Sequence, residues 1–231
     1  SFVKDLFKKS DEILGFSISK IILDGPKDSL DLTENTQPAI FLTSYCIYQM
    51  IKNETKIDLN KAKFYAGHSL GEYSALASSE SISFEKTIKL LKIRGRSMQS
   101  AVPKGEGGMV AVLGADIETV NKILNNSYQK YQCFIANDNS VGQIVVSGKT
   151  NDINLFIEDL NKEKIKNIKL KVSAPFHCKL MGPATNVMKD EISNTEFKDS
   201  KNNIVTNVTA KETYKSNEIK KLLIDQIEST V

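Results

Sequence analysis

Arginine and histidine are nearly missing from this chain. Of its 31 basic residues only Arg94 and Arg96 are arginine, and His68 and His177 are the only histidines among 231 residues. Cysteine is scarce as well. Cys46, Cys133 and Cys178 are odd in number and scattered, with no C-x-x-C pair and no His-rich ligand spacing. That pattern argues against a metal site and a disulfide framework, and reads as reduced thiols in a cytosolic protein. No apolar run is long enough to span a bilayer, and the chain does not open on a basic-then-apolar leader, so a cytoplasmic protein with no membrane partner is expected. The glycosylation sequons at Asn53, Asn125 and Asn207 then carry no meaning. Neither charge sign dominates: 31 basic and 28 acidic residues leave a formal +3. Spread along the chain, they form no basic stripe for nucleic acid. Gly148-Lys149-Thr150 resembles the end of a phosphate loop, but the preceding Gly142 lies one residue too far and Ile144-Val145-Val146 are strand-like, so no nucleotide cofactor is expected.

What is present centres on residues 64–76. Phe64-Tyr65-Ala66 is a short apolar run that reads as a buried strand, and the leucine- and alanine-rich stretch after Ser69 reads as a helix. Gly67 and Gly71 bracket Ser69. A strand that turns directly into a helix needs small residues around a strained bend, and that bend pushes the serine hydroxyl outward. The N–H of Leu70 and the positive end of the new helix then favour an oxyanion. Serine needs a base, and His177 is the only histidine far enough along the chain to approach from another element. His68, whose side chain diverges from Ser69 at the turn, shapes the pocket. Between Ser69 and His177, only Asp138 lies in a motif-like loop that could orient the histidine.

In a lysine-rich chain a rare guanidinium marks a place where lysine does not serve. Ser83 starts a helix to about Ala101 with Phe84, Ile88, Leu91 and Met98 as its buried stripe. Arg94 lies about 60° from Leu91 and about 40° from Met98 at 100° per residue. It closes an internal salt bridge or grips a substrate carboxylate, and the bidentate grip suits arginine better. Arg96 points nearly the opposite way, toward solvent.

The length and the 40% hydrophobic content suit one sizeable core with room for a smaller second unit. Residues 2–14 form an amphipathic helix capped by Gly15, a turn follows at Gly25-Pro26, and Thr36 caps an apolar helix through Ile40, Phe41, Tyr45 and Tyr48 to about Ile51. Between 104 and 173 the order changes. Strands at Met109–Leu113, Gln132–Ala136, Gln143–Ser147 and Ile168–Val172 with helices at 116–126 and 151–163 give β-α-β-β-α-β, the ferredoxin-like split motif. Gly105, Gly107 and Gly108 read as a hinge into it. Residues 173–177 lead into a helical segment with Leu180, Met181 and Val187. Ile204–Val208 reads as a strand and 216–228 as a helix.

Gly67-His68-Ser69-Leu70-Gly71-Glu72-Tyr73-Ser74-Ala75-Leu76 resembles the nucleophile segment of the malonyl-CoA:acyl carrier protein transacylases, an acyltransferase family of fatty acid and polyketide synthesis. Asn35-Thr36-Gln37-Pro38-Ala39, Arg94-Gly95-Arg96-Ser97-Met98-Gln99, Asn137-Asp138-Asn139-Ser140-Val141-Gly142-Gln143 and Ser173-Ala174-Pro175-Phe176-His177-Cys178 resemble its other signatures, in the family's order. The resemblance implies an α/β fold. An α/β-hydrolase-like large lobe carries the elbow (1–103 and 174–231), and a ferredoxin-like small lobe (104–173) is inserted. It implies transfer of malonyl from malonyl-CoA to the phosphopantetheine thiol of acyl carrier protein through a malonyl-Ser69 ester, with no cofactor and no metal.

It also implies site roles. His177 is the base, Gln226 orients it, Leu70 supplies the oxyanion N–H, and Arg94 holds the malonyl carboxylate. His68 and Met98 line the substrate pocket, and Phe176 adds bulk that selects malonyl. Gln37 is left near the site without an assigned role. The family's glutamine-bearing loop lies ahead of Ser1 and its last elements follow Val231, so the chain as written is expected to be slowed about a hundredfold or more. Two other classes share the elbow or the lobe: a serine thioesterase or lipase, and a non-catalytic module that docks carrier protein.

Overall fold

Runs with helical spacing dominate the first hundred residues, and alternating runs the next seventy. In this computed structural model, which describes residues 2–172 and 174–231, they become helices α1 (Phe2–Leu14), α2 (Ile18–Asp24), α3 (Lys27–Leu30) and α4 (Thr33–Glu54), strand β1 (Phe64–Ala66), and helices α5 (Leu70–Ser78) and α6 (Phe84–Ser100). Then come β2 (Gly107–Leu113), α7 (Ile117–Asn126), β3 (Cys133–Ser140), β4 (Gln143–Lys149), α8 (Thr150–Lys162), β5 (Lys166–Lys169), α9 (Gly182–Asn194), β6 (Asn203–Val205), β7 (Glu212–Thr213) and α10 (Ser216–Asp225). Contacts divide the chain into two units, one reaching to Ser97 and including Val187–Ile224, the other formed by Met98–Asn186 and Asp225–Val231.

In the first unit β1 pairs parallel with β6, Ala66 opposite Val205, and β7 pairs antiparallel with β6. Contrary to the buried strand expected, Phe64 is 50% exposed and Ala66 is also open. Among the described residues β1 has a neighbour on one side only. Helix α4 starts at Thr33, before the expected cap. Thr36 sits inside it, its Oγ1 donating back to the Leu30 and Leu32 carbonyls. Phe41 is buried, while Ile40 faces out at 46%. Helix α2, unmarked by periodicity, is capped by Ser17, whose side chain accepts from the Lys20 N–H. The expected cap at Gly15 holds with φ of 73° and its N–H on the Asp11 carbonyl.

The second unit holds a four-stranded antiparallel sheet in the order β3-β4-β2-β5. This is the strand order of a β-α-β-β-α-β unit whose outer strands flank the inner pair. Side chains alternate across it. Val110, Val112, Ile144 and Val146 pack on Val120, Ile153, Phe156 and Leu160 of the helices, whereas Met109, Ala111, Ala136 and Val145 take Leu170 and Phe176 on the opposite face.

Strand β5 stops at Lys169, short of the expected Val172. It is a sheet edge with Ile168 52% exposed, so its apolar alternation does not mark a buried face. The hinge reading of three glycines also changes: Gly107 and Gly108 lie inside β2 and only Gly105 sits in a turn, with φ of 90°. A Cβ at Gly107 would lie 2.2 Å from Pro175 Cδ, so the glycine lets β2 pack directly on the segment that carries His177. The expectations placed on Ser1 and Ser173 lie outside the described residues.

Among the described residues no helix is long and apolar enough to cross a membrane, and no cluster of three or more His, Cys, Asp or Glu side chains could hold a metal ion.

Candidate active site

In the first unit, β1 runs through Gly67-His68-Ser69 into α5. Ser69, at the helix N-cap, has φ of 54° and ψ of −110°. A non-glycine residue there stores about 1–3 kcal/mol of strain, which surrounding contacts must offset. Those contacts are visible. The Ser69 N–H donates to Asn207 Oδ1 at 2.6 Å, Asn207 Nδ2 donates to the Gly67 carbonyl at 2.8 Å, and the Asn207 N–H donates to Glu72 Oε2 at 3.1 Å. A Cβ at Gly67 would stand 2.0 Å from the Gly71 carbonyl oxygen, so the first glycine of the motif is obligatory, whereas a Cβ at Gly71 would meet nothing within 4 Å. Leu70 opens α5. As a first-turn amide, its N–H has no acceptor within the helix.

Arg94, expected at the edge of the α6 stripe, is almost wholly buried at 1% exposure, while Arg96 is exposed. Its Nη1 donates to Gln37 Oε1 at 2.8 Å and its Nη2 donates to Ser69 Oγ at 3.1 Å. The guanidinium carbon also lies 5.6 Å from the centre of the Tyr73 ring. Burial pulls its pKa below the usual arginine value, an effect opposed by Tyr73 and Glu72, and burial pushes Tyr73 up to about 12. A guanidinium stays protonated in proteins, so the pair is a cation over a neutral ring. Gly95 makes this placement possible. A Cβ there would lie 2.5 Å from the Thr33 carbonyl, so only glycine lets α6 cross the start of α4 closely enough to set Arg94 on Gln37. His68 is exposed on the turn, and Met98 is buried on α6 at 2% exposure.

In the second unit His177 is 4% exposed with φ of 56°. Ser69 and His177 are two of five non-glycine residues with positive φ among the described residues, and such strain gathers at functional positions. His177 Nδ1 lies 2.9 Å from the main-chain carbonyl of Gln226. A carbonyl only accepts, so Nδ1 carries the proton and Nε2 is left as the basic nitrogen. The bond comes from the backbone of Gln226, not its side chain. Asp138 is exposed on β3 and does not hold that nitrogen.

Phe176 packs on the sheet face described above, and its carbonyl accepts from Ser147 Oγ at 2.6 Å. His177 lines an open cleft of about 530 Å³ with Ile117, Leu124, Phe134 and Glu228. Cys178 donates to the Pro175 carbonyl, and burial pushes its thiol up to about 11, so it is no nucleophile at neutral pH.

Sequence reasoning misses Asn207, which reads as a meaningless sequon on an expected strand. Strand β6 ends at Val205, and an asparagine just past the end of a strand beside the elbow strand was the available signal.

The acyl transferase domain family matches residues 4–230. A malonyl CoA-acyl carrier protein transacylase of Bacillus subtilis (strain 168) is 37% identical over 230 residues, which cover 99% of this chain and 71% of that protein. The crystal structure of an acyl-carrier-protein-S-malonyltransferase from Bartonella henselae aligns with a TM-score of 0.95 at 37% identity, over 99% of this chain and 73% of that one. A malonyl-transacylase in complex with a type II PKS acyl-carrier protein aligns at 0.94 and 31% identity, over 99% and 74%. With a serine on a strained strand-to-helix turn and a buried arginine at its hydroxyl, the chain belongs to the acyl transferase domain family, together with the malonyl CoA-acyl carrier protein transacylases.

Proposed function

We propose that this protein transfers a malonyl group from malonyl-CoA to the phosphopantetheine thiol of acyl carrier protein, supplying fatty acid synthesis in the cytoplasm. The observation that carries the reading is the buried Arg94 cation, whose Nη2 donates to Ser69 Oγ. A site for neutral acyl groups has no use for a desolvated guanidinium at its nucleophile, while a malonyl carboxylate offers it a charge-assisted partner. Names of relatives as malonyl transacylases and S-malonyltransferases support the same choice.

In the first step Ser69 Oγ attacks the thioester carbon and its proton passes to His177 Nε2. The oxyanion lies on the Leu70 N–H, and collapse expels the CoA thiolate, which takes the proton from His177. In the second, the phosphopantetheine thiol gives its proton to His177 and attacks the malonyl-Ser69 ester. Ser69 Oγ leaves and regains the proton. Gln226 holds His177 through its carbonyl, Arg94 keeps the malonyl carboxylate through both steps, and His68, Met98 and Phe176 line the acyl pocket. No cofactor enters.

The architecture fits an α/β-hydrolase-like lobe of residues 1–103 and 174–231, because β1 pairs parallel with β6 and runs straight into the elbow. Residues 104–173 form the inserted ferredoxin-like lobe.

The test compares wild type and Arg94→Ala in transfer from malonyl-CoA and from acetyl-CoA to holo carrier protein. Losing a buried charged partner costs about 2–5 kcal/mol, so malonyl kcat/KM should fall at least roughly thirtyfold by that measure while acetyl transfer changes far less. Equal losses for both donors would remove the carboxylate role.

A further inference from the structure

Strand β6 lies parallel to β1 with Ala66 opposite Val205. The two strands therefore end at the same edge of the sheet, and Asn207 comes out beside Gly67. Its side chain is used at both ends. Oδ1 accepts from the Ser69 N–H at 2.6 Å, and Nδ2 donates to the Gly67 carbonyl at 2.8 Å. Only an amide supplies an acceptor and a donor at these two places, so the bonding fixes which atom is oxygen. Its own N–H is bonded to Glu72 Oε2 at 3.1 Å, and Glu72 is wholly buried in the first turn of α5. Asn207 thus grips the chain immediately before the elbow and at the serine itself, while buried Glu72 from the following turn fixes Asn207.

We propose that Asn207 is the positioning residue that holds the Ser69 backbone in its strained conformation, with Glu72 as the anchor that holds Asn207. The Ser69 N–H belongs neither to the sheet nor to the helix ladder. Without Oδ1 the strained turn would relax toward ordinary backbone angles, and Ser69 Oγ would leave its place at Arg94. This rests on reading Ser69 as the nucleophile, so its test uses a readout that does not depend on the acyl donor.

The experiment measures inactivation of the full chain by a fluorophosphonate, which forms an Oγ–P bond with an activated serine and releases fluoride. Wild type is compared with Asn207→Ala and with the isosteric Asn207→Asp, which keeps the acceptor for Ser69 but loses the donor to Gly67. Amide hydrogen exchange at Ser69 and circular dichroism are followed alongside. Both variants should stay folded. The maximal inactivation rate should fall roughly ten- to a hundredfold in Asn207→Ala and less in Asn207→Asp, with the inhibitor constant unchanged. The Ser69 amide should exchange faster in Asn207→Ala and stay protected in Asn207→Asp.

Wild-type labelling rates in Asn207→Ala, or a loss in Asn207→Asp as deep as in Asn207→Ala, overturn the proposal. So does a loss of labelling that appears only with loss of the folded circular-dichroism signal. If wild-type Ser69 labels but takes no malonyl from malonyl-CoA, the transfer reading falls and the clamp stands; if wild-type Ser69 does not label, both fall.

Discussion

In a chain with two arginines, the one at the edge of an apolar stripe had to find a buried partner, and it finds Gln37 and Ser69. Gln226 is a different case. Its bond to His177 comes from the main chain, which no residue type in a sequence announces. Gln226→Ala therefore keeps the carbonyl. Transfer per folded molecule should stay within about tenfold of wild type, even though removing a fully buried side chain lowers the melting temperature, whereas His177→Ala should abolish transfer. The check is kcat on samples normalised by active-site titration, and a Gln226→Ala loss as deep as that of His177→Ala would contradict the main-chain role. The cysteines follow their burial: Cys46 is pushed up to about 11 and Cys133 to about 12.

At the level of the element, the motif's two glycines are not equivalent. Gly67→Ala drives a Cβ into the Gly71 carbonyl, and Gly71→Ala fills open space. The first should cost several kcal/mol or prevent folding, whereas the second should be neutral or stabilise by up to about 1 kcal/mol in a helix, read as denaturant midpoints; equal costs would contradict the packing of the turn. Helix α10 has its own anchor. The Asp199 carboxylate takes the Ser216 N–H at 2.9 Å and Lys215 Nζ at 3.0 Å. The Ser216 amide first, then Lys215, hold its pKa down to about 2.

A depressed carboxyl stabilises the fold above its ordinary value and loses that contribution as pH falls through the folded value. The melting difference between wild type and Asp199→Asn should be present at neutral pH and vanish near pH 2; a difference constant with pH would remove this anchor. The strands of the second unit were readable because both sheet faces are filled, so apolar runs and alternation coincide with the pairing. Edges were not readable. The exposure of β1 and the early stop of β5 depend on which neighbours a strand has. Asn207 sits 138 residues from the amide it holds, a separation that local pattern cannot bridge.

For the whole molecule, the family was legible because several short signatures recur in one order along nearly the full chain, and the match over residues 4–230 agrees with that order. The division into two units places Ser69 and Arg94 in one and His177 and Gln226 in the other. The most direct test of the central claim is intact-mass spectrometry of the protein after incubation with malonyl-CoA, with peptide mapping, alone and then with holo carrier protein. One malonyl added at Ser69, absent in Ser69→Ala and discharged only when carrier protein is supplied, is the predicted result. A protein that gains no mass at Ser69, or that loses the malonyl to water at the same rate without carrier protein, would contradict it.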